Sequence, residues 1–260
     1  MQRSSQQRSP GPRPAREFAD SIIRRVGFVH SHSSPVRVMC HGRKTLRIAV
    51  KYGWLPGARY TNLRDIAGFP SVGLIDVDWR SYDFKQHLHA VKETRPILTV
   101  AKDIEHEFEF ERILDQAENL SRWASAVVVV PKFPDFGPSF LRRIPKKFLL
   151  GYSVPTRYGG TRIPLKHFVG RPIHLLGGRP DVQFKLSRIL HVYSVDGNRI
   201  TLDATYGDYF DGQAFRPHPS GGYYRCIRAS LVAINKLWRQ TLASPASHES
   251  HEPGSATLHE

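Results

Sequence analysis

Acidic side chains stand where three apolar runs stop. VGLIDVD (72–78) carries Asp76 and Asp78, PILTVAKD (96–103) ends on Lys102 and Asp103, and HVYSVDG (191–197) carries Asp196. Burying such a charge at the end of a strand is costly unless it is paired. Carboxylates converging from separate strands therefore suit acid–base or nucleophilic work. Each also has a plainer use. Asp196-Gly197-Asn198 is a good turn sequence. Asp103 could N-cap a helix over 106–123, with Lys102 as its ion-pair partner. Asp76 and Asp78 share side-chain parity on a strand, and one of them could simply cap the loop that follows.

The other run ends are also polar or bare. VGFVHS (26–31) supplies His30, LRIAVKYG (46–53) supplies Lys51 and Tyr52, AVVVVPK (126–132) ends on Lys132, and KFLLGYSV (147–154) carries Gly151, Tyr152 and Ser153. PIHLLGG (172–178) ends on Gly177 and Gly178, where absent side chains would let a flat ligand lie against the backbone. A plain glycine turn ahead of a helix, with Pro180 near its first position, reads equally well.

These eight runs are mostly continuous rather than alternating, which suits strands covered on both faces. Helical patterns separate several of them, at FKQHLHAVKE (84–93), HEFEFERILDQAENLSRW (106–123) and VQFKLSRIL (182–190). A last amphipathic stretch, GGYYRCIRASLVAINKLWRQ, spaces Leu231, Ile234, Leu237 and Trp238 for one buried face. Eight βα units predict an α/β fold, a (β/α)8 TIM-like barrel, with its active site at the strand C-terminal ends. The link over 133–146 is short and Pro-rich, so that unit is expected to be degenerate. An open doubly wound sheet is the alternative. Residues 1–15 and 243–260 lack core residues and are expected to be a loose basic arm and a loose tail around one domain over 16–242.

Charge and cysteine usage narrow the class. Among 260 residues, 38 Lys and Arg face 23 Asp and Glu, a formal net charge of +15. Such a field favours a polyanion, nucleic acid first. Rim cations for phosphates are expected at Lys51, Arg59, Arg64, Arg157, Arg162 and Arg179. Two cysteines, Cys40 and Cys226, make neither a disulfide framework nor a cysteine-rich zinc site. No apolar run approaches the ~20 residues that cross a bilayer, and no signal-peptide core opens the chain. A cytoplasmic protein without a membrane partner is the expectation.

The segment HLLGG-RPDVQFKLSRILHVYSVDG resembles the last two βα units of the tRNA-guanine transglycosylase superfamily. In that superfamily a glycine-bearing strand end leads through a short helix to a strand ending in the nucleophilic aspartate. The likeness extends roughly over 46–212 and is specific only over 172–212. SVDGN…ATYGDYFDG looks like the branch that inserts 7-deazaguanines into DNA. The resemblance implies Asp196 as nucleophile and Asp76 (Asp78 in reserve) as acid and base. It implies Asp103 on the base's Watson–Crick edge and Gly151, Gly177 and Gly178 against the heterocycle. Tyr52 or Tyr152 would stack on the base, and Lys132, at the substrate side of the fifth strand, stands where that superfamily has a glutamine. DNA ahead of RNA, and a 7-deazaguanine such as 7-cyano-7-deazaguanine, would be the substrates, with no metal or redox cofactor. The chain departs from the tRNA enzymes in lacking their three-cysteine, one-histidine zinc site and the Gly-Gly-Phe element after the second aspartate, where Val77-Asp78-Trp79 stands. A non-catalytic nucleic-acid binder on a degenerate barrel, and a barrel enzyme acting on a phosphorylated metabolite, are the alternative readings.

Overall fold

The computed structural model describes residues 34–240 apart from 134, 157 and 158. Eight parallel strands close on themselves in sequence order. They are β1 (Val36–Cys40), β2 (Leu55–Arg59), β3 (Leu74–Asp76), β4 (Leu98–Val100), β5 (Ala126–Val129), β6 (Leu149–Ser153), β7 (Ile173–Leu176) and β8 (Val192–Asp196). The seam pairs β1 with β8, placing Val38 beside Asp196. This is the expected (β/α)8 barrel rather than an open sheet.

Around it lie α1 (Arg43–Lys51), α2 (Phe84–Thr94), α3 (Phe110–Ser121), α4 (Pro138–Arg143), α5 (Pro180–Leu186), α6 (Arg199–Thr205) and α7 (Tyr223–Gln240). Short 3-10 turns at Leu63–Asp65 and Leu165–Phe168 stand where helices after β2 and β6 would be. The degenerate unit expected over 133–146 is the six-residue α4, opened by Pro138. A small antiparallel ribbon, β9 (Asp208–Phe210) with β10 (Phe215–Pro217), lies between α6 and α7.

The continuous apolar runs have a simple origin. Along β3, Leu74 fills the barrel interior with Val38, Leu98, Val100 and Val128. Its neighbour Ile75 faces outward into the layer shared with Ile113 and Leu231. Both faces are dry, so both parities are apolar. The inward parity then carries Cys40 (after Val38) and Asp76 (after Leu74) to the mouth, and Asp196 joins them from β8 at the level of Val38.

The first two strands differ from the expectation. Residues 26–31, with His30, lie outside the described residues, as do 1–15 and 243–260. LRIAVKYG is mostly helix: α1 buries Thr45, Leu46 and Ala49, a helical spacing, and Gly53 at φ +79 stops it. The true β1, VRVMC, carries an arginine at its second position, and the true β2, LPGAR, carries Pro56 and Gly57, residues that argue against a strand. Gly57 is required by packing, because a Cβ there would stand 2.6 Å from Cys40 Sγ.

Candidate functional site

Asp196 ends β8 and is 7% exposed. Its Oδ1 accepts the backbone N–H of Gly177 at the end of β7. Gln183 on α5 locks the same corner, its Nε2 donating to the carbonyls of Gly177 (2.7 Å) and Asp196 (2.8 Å). Asn198 fastens the other side, Oδ1 accepting from Cys40 N–H at 3.0 Å. The end of β8 is thus fastened to the ends of β7 and β1. Asp196-Gly197-Asn198 does turn the chain, but its acid is buried in the barrel rather than spent on the turn. Gly197 has its own reason: a Cβ would lie 2.1 Å from the Trp54 ring.

Asp76 ends β3 and is half-buried, with Val77 N–H donating to its Oδ1 at 2.8 Å. Burial first, and then the charge of Asp103, push its carboxyl up to about 6, against the opposing pull of Val77 N–H, Arg59 and Lys132. Burial first, and then the charge of Asp76, push Asp196 up to about 7, against the pull of Gly177 N–H. Asp196 thus feels the charge of Asp76. Two carboxyls lifted this far can share a proton, which an acid–nucleophile couple requires. Cys40 stands beside them, its thiol held well above its ordinary pKa by burial and by the charges of Asp76 and Asp196.

The remaining expected residues fall into groups. Asp103 lies just past β4 and pairs with Lys132 at 2.5 Å; burial pushes its carboxyl up while Lys132 pulls it down. Lys132 therefore answers Asp103 directly. Lys102 instead pairs with Glu109 at 2.6 Å, so the sequence-based pairing of Lys102 with Asp103 is corrected, and so is Asp103 as the N-cap of the 106–123 helix. Asp78 lies in the loop beyond β3, where its Oδ1 accepts from Arg80 N–H at 3.2 Å, the loop-capping role. Gly177 takes φ +63 with nothing within 4 Å of a built Cβ, so it borders open space. Gly178 instead is pressed against Val154, whose Cγ1 would stand 2.6 Å from a Cβ.

Three expectations for base contacts are moved by the geometry. Gly151 faces the barrel interior under Val130 and Leu176, whose atoms would lie 2.6 and 2.9 Å from a Cβ, so its bareness serves packing. Tyr152 has the opposite parity, is 6% exposed, and meets Phe168 edge-on at 5.1 Å in the outer layer. Tyr52 follows α1 outside the barrel wall, where it lines a cavity of about 420 Å³ with Tyr209, Arg228 and Lys236. Lys51 lies at that same helix end, leading into β2, because the run carrying both is a helix.

The other rim cations stand at strand exits. Arg59 ends β2 and Arg64 follows it, Arg162 lies beyond β6, and Arg179 beyond β7; all four are exposed. Arg179 is paired with Asp181 at 2.9 Å, and Arg157 lies outside the described residues. Arg162 and Lys132 line a cavity of about 260 Å³ together with Glu105, His106 and Gly160. Among the described residues no group of three or more His, Cys, Asp and Glu stands together to hold a metal, and no helix is long and apolar enough to cross a membrane.

Sequence reasoning did not single out Cys40, Gln183 or Asn198. Gln183 left a signal, a polar residue at a buried position of an otherwise apolar helix face. Cys40 left none once its strand was missed.

Among solved structures, the YdjI aldolase of Escherichia coli K12 matches with a TM-score of 0.48 at 12% identity, over 90% of this chain and 98% of that one. A phosphoribosyl anthranilate isomerase matches at 0.38 and 14%, over 78% and 100%. A thiamine phosphate pyrophosphorylase of Pyrococcus furiosus matches at 0.35 and 13%, over 80% and 97%. No curated protein matches. A family model does match, over residues 49–239, which spans the chain from α1 to α7. The chain belongs to that family, a family of unknown function (DUF6610).

Proposed function

We propose that this barrel is a transglycosylase that exchanges guanine in DNA for a 7-deazaguanine through an aspartyl–glycosyl intermediate. The observation that carries the reading is the pair of acids at the barrel mouth, Asp196 buried at the end of β8 and Asp76 half-buried at the end of β3, both pushed up toward neutrality. Asp196 Oδ attacks C1′ as the C1′–N9 bond breaks, and its electron pair leaves with guanine, which takes the proton of Asp76. The incoming 7-deazaguanine gives its N9 proton back to Asp76, and N9 displaces Asp196 from C1′. Proton and charge balance over the cycle without a co-reactant.

The surrounding residues support each step. Gly177 N–H orients one Asp196 oxygen, and the open space over Gly177 leaves room for a heterocycle beside the nucleophile. Asp103 would accept the base's N–H groups, with Lys132 holding its charge. The target nucleotide must leave its stack to reach a mouth of this kind, and the net charge of +15 suits the phosphate backbone.

Incubation with guanine-containing DNA and labelled guanine or 7-deazaguanine tests the reading. Label should enter the DNA, and Asp196→Asn should abolish entry while DNA binding persists. Binding without entry, across DNA and tRNA and several deazaguanines, would leave a non-catalytic binder.

One observation favours a second reading, an enzyme of phosphorylated metabolites. The cavity of about 260 Å³ presents Lys132, Arg162 and His106 to a common space. Saturable protection of the fold by small phosphomonoesters, unaffected by DNA, would support it.

A further inference from the structure

We infer that the enzyme engages an unpaired DNA strand, with bases flanking the target stacked on exposed rings of the β3 and β4 exit loops. The inference rests on the transglycosylase reading for its substrate but stands on a separate surface. Trp79, in the loop after β3, is 68% exposed, and Phe108, in the turn after β4, is 84% exposed. Rings this open are not needed for packing, and large exposed aromatics mark interaction surfaces. Each is already braced by a partner. Arg80 lies over the Trp79 ring at 4.9 Å, and His106 stacks on Phe108 at 5.3 Å with the planes 6° apart. A braced ring keeps one face for a ligand and loses little freedom when the ligand arrives.

The two loops are neighbours, because β3 and β4 are paired, and they adjoin the exit of Asp76. Cations flank them on either side around the rim: Arg59 ends β2, and Arg162 lies beyond β6. Two open rings with a cation at either end of the arc suit a single strand, phosphates on the cations and bases on the rings. Glu105 and Glu107 stand in the same turn as Phe108 and are exposed. They repel a phosphate there but not the neutral face of a base, which sets the register: base over Phe108, backbone toward Arg59 and Arg162. A duplex, whose bases already stack on each other, offers no free face to either ring.

Fluorescence titration of the full chain with an oligonucleotide as single strand, as duplex and as RNA of the same sequence tests this at fixed salt. The single DNA strand should bind tightest and quench tryptophan emission. Trp79→Ala should remove most of the quench and weaken binding about 10-fold, Phe108→Ala should weaken it similarly, and Trp79→Phe should restore most of the affinity. Equal affinity for duplex, tighter binding to RNA, or unchanged binding in Trp79→Ala would overturn the inference. Base exchange is measured separately on the wild-type chain with saturating DNA. Its absence in the wild-type chain would count against the transglycosylase reading and not against the stacking surface.

Discussion

Asp196→Asn should stabilise the protein, and by an amount that grows with pH. In the folded chain burial and the nearby Asp76 lift this carboxyl to about 7, against roughly 3.9 in an unfolded chain. Below pH ~4 both states hold the proton. Between there and about 7 the unfolded chain releases it while the folded chain keeps it, so stability falls by about 1.4 kcal/mol per pH unit across that window. Above the folded value the loss is complete, about 4 kcal/mol in all. Asparagine keeps an oxygen for Gly177 N–H and has no proton to lose. Two units of the window lie above pH 5, so the variant's advantage over the wild type should widen by about 3 kcal/mol between pH 5 and pH 9. Urea unfolding of both proteins at the two pH values measures this, other titrating groups largely cancelling in the difference. Parallel stability curves, or a variant that loses ground at pH 9, would show that Asp196 is an ordinary solvated turn residue and refute the reasoning.

Exchange activity should follow a narrow bell, kcat/KM rising near pH 6 as the first proton leaves the pair and falling near pH 7 as the second does; a plateau from pH 6 to 9 would separate the two acids. Gly151→Ala should cost about 1–3 kcal/mol in chemical unfolding, because its methyl would enter the space of Val130 and Leu176. Lys132→Met should leave Asp103 without its 2.5 Å partner and lower stability by an amount that grows as pH rises, because burial already disfavours the Asp103 carboxylate and its cation would be gone. Arg59→Gln and Arg162→Gln should each weaken DNA binding without regard to sequence and reduce the salt slope by about 1; a change in sequence preference instead would assign them to base contacts.

The latter three-quarters of the barrel was legible because a strand covered on both faces is a bare apolar run, and β3 to β8 each sit inside one of the expected runs. The first quarter was not. Arg37 in β1 and Pro56 with Gly57 in β2 are poor strand residues that barrel closure overrides, while α1 is apolar enough to imitate a strand. That single shift carried Lys51 and Tyr52 outside the wall and hid Cys40. Asp76 and Asp196 were visible because an acid ending an apolar run is rare by packing alone. Whether Gly151 and Tyr152 faced the ligand depended on strand parity inside a continuous apolar run, where both parities look alike. Interactions that join distant segments, such as Asn198 with Cys40 and Lys132 with Asp103, leave no local trace.

The most direct measurement is capture of the sugar-linked protein. The chain is mixed with a guanine-containing single strand without any incoming base, quenched in denaturant, digested and mapped by mass. A deoxyribose-linked peptide containing Asp196, appearing together with free guanine, is the predicted result. Absence of any protein–DNA covalent species at saturating DNA, or linkage at a different residue, would contradict the account.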